Sequence, residues 1–238
     1  MPYGAHETME MHEILMEKIN TITHFNLYAQ ETNNPHILDM IGRHTQEAIA
    51  SYNELVSYTR RGGEFQPMPS HTDIANVGHH QIQYGLHNPQ QLAPQAGAKL
   101  SDREICGAML LTHKNGARNA MMASLECADP NLRMMLTNSA AACANQAYEV
   151  FLYMNEQGLY QVPTLNSHTA QKFLHSYQPA DQSMQQPYAG YMEAMNPGGV
   201  PAGATMAGGN PQGGGYGMGT GGGSQYGGGA SGYGNYPQ

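Results

Sequence analysis

Asn34-Pro35 and Asp129-Pro130 stand 95 positions apart, and the same shift aligns much of the chain around them. In that register Asn20 falls on Asn115, Glu31 on Glu126, Met40 on Met135, Glu54 on Glu149, Tyr58 on Tyr153 and Gly63 on Gly158. Each copy reads as a long helical pattern, an Asx-Pro break, a second helical pattern and a glycine stop. A helical hairpin must bury its apolar stripe against another element. The duplication therefore predicts an all-α fold, a four-helix bundle built from two repeated helical hairpins.

Local signals place the helices. The first runs from about Glu7 to Glu31, with Met11, Leu15, Ile22, Phe25 and Ala29 as its apolar stripe. The second starts at Pro35 under an Asn34 cap, carries Ile37, Ile41, His44, Ala48, Tyr52 and Leu55, and ends at Gly62-Gly63. Ser101 and Glu104 form a capping box for the third, whose stripe of Ile105, Met109, Thr112, Gly116, Ala120 and Ala123 is small enough for close helix approach. Asp129 caps the fourth, with Pro130 at its first position and Gly158 as its stop. Helices of about 25 residues would each extend roughly 37 Å.

The domain reading follows: residues 1–63 are the first hairpin, 64–99 a crossover, 100–178 the second hairpin of the same domain, and 179–238 a tail. A middle connection this long can run the length of the bundle, which is the ferritin-like arrangement. Within it, 72–84 is expected to form a short helix. The tail holds most of the chain's 29 glycines, with spaced tyrosines from Tyr188 to Tyr236. It has too little apolar surface to offset its ordering entropy and is expected to be disordered. Tyrosines between Gly spacers can act as stickers between chains, so an assembly or cross-linking role is favoured over mere solubility.

Charge excludes some partners. Only 12% of residues are charged, and the net charge is −8, which disfavours nucleic acid and anionic membranes. No apolar run is long enough to insert in a membrane, and no secretory leader is seen, so synthesis in the cytoplasm is expected. Cys106, Cys127 and Cys143 form no CxxC pair and suit a reducing compartment. Cys127, at a helix end, is the one expected to be exposed.

A ferritin-like bundle raises the question of a di-metal site, which needs a carboxylate from each of two helices and Glu-x-x-His from each of the others. Glu54 and Glu149 are the best-placed carboxylates, but Ser57 and Leu152 stand three residues on. Glu104 is a capping residue. Glu10, Glu13, Glu17 and His24 line helix 1, and His44 and Glu47 share a face of helix 2. The repeat does not return that set, since Ser139 matches His44 and Ala108 matches Glu13. The expected reading is a solvated acidic face with a hydrogen-bonded core histidine. His71, His79, His80 and His87 in the crossover read as solvated. No nucleophile motif or phosphate loop is present. No catalytic, cofactor-binding or metal residue, and no cofactor, is assigned.

Four runs carry more than periodicity: Leu100-Ser-Asp-Arg-Glu-Ile-Cys-Gly-Ala-Met-Leu-Leu111, Lys114-Asn-Gly116, Glu126-Cys-Ala-Asp-Pro130 and Tyr153-Met-Asn-Glu-Gln-Gly-Leu-Tyr160. Together, over about 100–163, they resemble the spore coat protein F family of endospore-forming bacteria, and more faintly so do residues 7–65. The sequence departs from that pattern at Ala108, where an acidic residue is common. The resemblance implies a ferritin-like bundle without established enzymatic activity, made in the mother cell and deposited in the spore coat. It carries over no catalytic or binding residue. The expected function is structural, with other spore coat proteins and further copies of the chain as partners. The alternative is a divergent di-metal oxidase or a manganese catalase relative.

Overall fold

The computed structural model describes residues 3–61, 67, 71–89, 91–93, 99–181 and 184. Among them the protein is all-α: α1 (Ala5–Glu31), α2 (Pro35–Arg61), α3 (Asp102–Leu125), α4 (Pro130–Glu156) and the short α5 (Ser167–Leu174). No described helix is long and apolar enough to cross a membrane. Contacts divide the chain into Met1–Leu174 and His175–Gln238. The expected disorder of 179–238 concerns residues that, apart from 179–181 and 184, lie outside the described ones. The expected Gly62-Gly63 stop lies outside them too.

The caps act as their chemistry dictates. Ser101 Oγ accepts from the Glu104 N–H while Glu104 Oε2 accepts from the Ser101 N–H at 2.8 Å, closing the box at the start of α3. Asp129 Oδ1 accepts from the Asn131 and Leu132 N–H groups, both at 2.9 Å, so Pro130 begins α4 with no donor wasted. Gly158 ends the hairpin at φ +67, a left-handed conformation that a side chain would strain. The expected short helix at 72–84 is not formed: only His79–Gln81 makes a 3-10 turn. Part of the backbone there is spent on partners elsewhere in the protein, the Asp73 N–H on Glu149 and the Gln83 N–H on Asn155. The helix α5, which the sequence reading did not mark, buries none of its residues.

The first hairpin is α1 and α2, the second α3 and α4, and α1 lies on α3 as α2 lies on α4. The α3–α4 contact is the most extensive, as the small-residue stripe of α3 anticipates: a Cβ added to Gly116 would sit 3.1 Å from Cys143 Sγ. At one end of the molecule the α1–α2 turn meets the start of α3 and the end of α4. Thr32 donates to Asp102 at 2.7 Å, and Asn34 Nδ2 is 2.8 Å from Tyr153 Oη. At the other end Tyr58 donates to Asp129 at 2.7 Å, and the Asp129 N–H donates to Glu7 at 2.7 Å. So α1 runs antiparallel to both α2 and α3, and α4 antiparallel to α2.

These bonds recur at the 95-residue offset. Tyr58 meets the cap of the second copy, Asp129, and Tyr153 meets the cap of the first, Asn34. The apolar core follows the same rule. One cluster holds Phe25, Ile37, Met40, Ile41, Met109 and Val150; the other holds their counterparts Ala120, Leu132, Met135, Leu136, Ile14 and Leu55. Burying such side chains stabilises by about 1.5–3 kcal/mol each before entropy is charged against it.

Candidate functional site

Between the two apolar clusters the interior is polar, and two hydrogen-bonded sets occupy it. The first is built on α2, α3 and α4. His44, 1% exposed, places Nε2 2.8 Å from Glu149 Oε2. Its Nδ1 lies 3.0 Å from Nε2 of His113, also buried, with the two rings edge to face. Arg43 grips the same carboxylate with two bonds of 2.8 and 3.1 Å, and the Asp73 N–H adds a third donor at 3.0 Å. A carboxylate only accepts, so His44 Nε2 donates; in the singly protonated ring Nδ1 then accepts from His113 Nε2–H.

The electrostatics follow from burial and partners. Burial pushes the Glu149 carboxyl up, but the bonds from His44, Arg43 and Asp73 outweigh it and bring its pKa down to about 2. Burial, with His44 beside it, holds the His113 imidazole well below its usual value. Glu149 is thus a buried anion matched by a guanidinium, and His113 a buried neutral ring. Glu47, buried on the same face of α2, accepts from Gln146 Nε2 at 3.1 Å and from the His71 N–H at 3.2 Å.

The crossover is tied into this set. Arg43 donates to the His71 carbonyl at 2.7 Å. Further on, buried Asn155 receives the Gln83 N–H at 2.7 Å and donates back to the Gln83 carbonyl, while Gly85 N–H bonds Val162 O at 2.9 Å. Residues 71–88 therefore run beside α2 and α4, held at the core acids and again at the end of α4.

The second set is built on α1 and α4. Lys18 Nζ donates to Ser139 Oγ at 3.0 Å. At the repeat offset Lys18 corresponds to His113 and Ser139 to His44, so this bond is the counterpart of the histidine pair. It faces a cavity of about 60 Å³ whose wall also includes His113, Glu47, Gln146 and Cys143. Burial pushes the Cys143 thiol up to about 11, so it is no ready nucleophile. Burial likewise raises Cys106 to about 12 and Cys127 to about 11. Cys127, expected to be exposed, is half-buried and donates to the Ala123 carbonyl at 3.3 Å.

The residues weighed from sequence separate into distinct places. His44, Glu47 and Glu149 converge, while Glu54 stands apart, half-buried, with Lys18 acting on it. Glu104 is confined to its capping box. Glu10, Glu13 and Glu17 border an open groove between α1 and α3, His6 pairs with Glu10, and exposed His24 bonds its own helix at Asn20. In the crossover His79 and His87 each contact Tyr84. Among the described residues no three His, Cys, Asp or Glu side chains converge as metal ligands. A di-metal centre does not fit the donor set as built, because Arg43 and His44 already occupy both oxygens of Glu149. Sequence reasoning missed His113 and Lys18; their mutual correspondence in the repeat, inside two apolar stripes, was the available signal.

Residues 101–163, covering α3 and α4, match the Coat F domain. The chain is 29% identical over 182 residues to the spore coat protein F-like protein YhcQ of Bacillus subtilis (strain 168), covering 76% of this chain and 83% of that protein. No solved structure matches it significantly. The chain is thus similar to spore coat protein F-like sequences, and the Coat F domain match falls on the helix pair with the most extensive contact.

Proposed function

We propose that this protein is a structural component of the spore coat, made in the mother cell. Its ferritin-like bundle is the scaffold, and residues 179–238 are the element that assembles or cross-links it with other coat proteins and with further copies of itself. The observation that carries the reading is the Coat F domain on α3 and α4. The helix directions, with α1 antiparallel to α2 and α3, are those of a bundle whose long connection joins its second and third helices. The core supports a load-carrying, non-catalytic role: its buried acid is matched by arginine and histidine of the same chain, which rigidifies the interior. The Gly- and Tyr-rich composition of the tail supports association.

The test compares the full chain with one ending at residue 178, by light scattering and by circular dichroism. The full chain is expected to form large assemblies, and the shorter one to keep the helical signal without assembling. A shortened chain that assembles equally well removes the tail's role. A tagged chain that stays out of the coat of maturing spores removes the location.

A further inference from the structure

Duplication left the two halves of the polar core chemically unequal. In one half the His113–His44–Glu149–Arg43 chain satisfies its own charges. In the other, the counterpart bond joins an ammonium to a neutral hydroxyl, Lys18 to Ser139 at 3.0 Å. Among the described residues no carboxylate lies within ion-pair distance of Lys18 Nζ. The side chain reaches inward from α1 and ends at the wall of the roughly 60 Å³ cavity. Lys18 is half-buried, and drawing its ammonium out of water without a paired anion favours the uncharged form, which is a nucleophile toward carbonyl carbon.

We propose that Lys18 is a carbonyl-capture site, at which a small aldehyde enters the central cavity and condenses with Nζ. The amine lone pair adds to the carbonyl carbon while one amine proton passes to its oxygen, the carbinolamine loses that hydroxyl with the remaining N–H proton as one water, and an imine remains. No oxidant or reductant is required. The cavity sets the size class: about 60 Å³ holds roughly four waters, so the ligand has about four non-hydrogen atoms. Ile14, Ala48, Ala120 and Ala142 offer an apolar wall for its short carbon chain.

Burial lowers the Lys18 amine, opposed in part by Cys143 on α4, by Glu17 on its own helix and by Glu47 and Glu54 on α2; His113 faces the cavity from α3. The chain's other lysines make a built-in comparison, since Lys99, Lys114 and Lys172 are exposed. The inference does not depend on the coat role: it concerns an adduct, with no turnover.

The experiment treats the full chain at pH 7.4 with propanal and cyanoborohydride for short times, and reads each lysine by peptide mass spectrometry. Lys18 is expected to be propylated about tenfold faster than Lys172. In urea the four lysines become equal. Pyridoxal, too large for the cavity, is expected to show no preference for Lys18. Labelling of Lys18 no faster than Lys172 in the folded chain overturns the proposal, and so does a preference that persists with pyridoxal or in urea.

Discussion

Arg43 and Glu149 show how one residue sets the character of the interior. A buried carboxylate stripped of its cation costs more than the pair gains, because its charge is left in a poor solvent. Arg43→Met is therefore expected to destabilise the protein by about 3 kcal/mol in urea unfolding. Adding Glu149→Gln should recover part of that loss. A double variant less stable than Arg43→Met alone would show that Glu149 serves some further purpose.

The same set fixes a pH dependence. His113 has a folded pKa below its unfolded value near 6.5, so the unfolded chain binds the extra proton between them. Its contribution is full above about pH 6.5 and is lost as pH falls, at up to about 1.4 kcal/mol per pH unit. Glu149, lowered to about 2, acts with the same sign at lower pH. Unfolding free energies between pH 7.5 and 5 should fall less steeply in His113→Gln than in the parent chain; parallel curves would contradict this.

At the scale of elements, the helix ends were legible before any tertiary contact was known. Ser101 with Glu104, and Asp129 with Pro130, act on backbone groups within a few residues, so the sequence holds everything they need. The segment 72–84 was not legible in that way. The N–H groups of Asp73 and Gln83 are taken by Glu149 and Asn155, residues far away in the chain, and that competition works against a helix there. Helix propensity alone puts Ala about 1 kcal/mol above Gly. Gly42 and Gly107, with nothing within 4 Å of an added Cβ, should gain up to that amount as alanine. Gly116→Ala should instead lose stability, by about 1 kcal/mol, because Cys143 Sγ must yield. Thermal melts of the three variants decide it, and a stabilised Gly116→Ala would mean that α3 and α4 are less tightly pressed.

For the whole molecule, the two ends are fastened by bonds related through the repeat. Tyr58→Phe and Tyr153→Phe each remove one, and each should cost about 1 kcal/mol. The sites are a bundle length apart, so the double variant should show the sum to within about 0.5 kcal/mol. A large departure from additivity would mean that the ends communicate through the core.

The sequence by itself determined the number of long helices, their caps and their pairing into hairpins, because periodicity and capping are interactions between near neighbours. The resemblance over 100–163 came from the same local record. Only the tertiary structure decided what the core is for. Glu149 could be read as an orphaned metal ligand until Arg43 and His44 were seen upon it, and Lys18 as a solvated surface charge until it was found beside Ser139. The reason is physical: a polar residue on a helix acquires its meaning from the helix opposite. That distance is set by packing and is not written in the spacing of either strip of sequence.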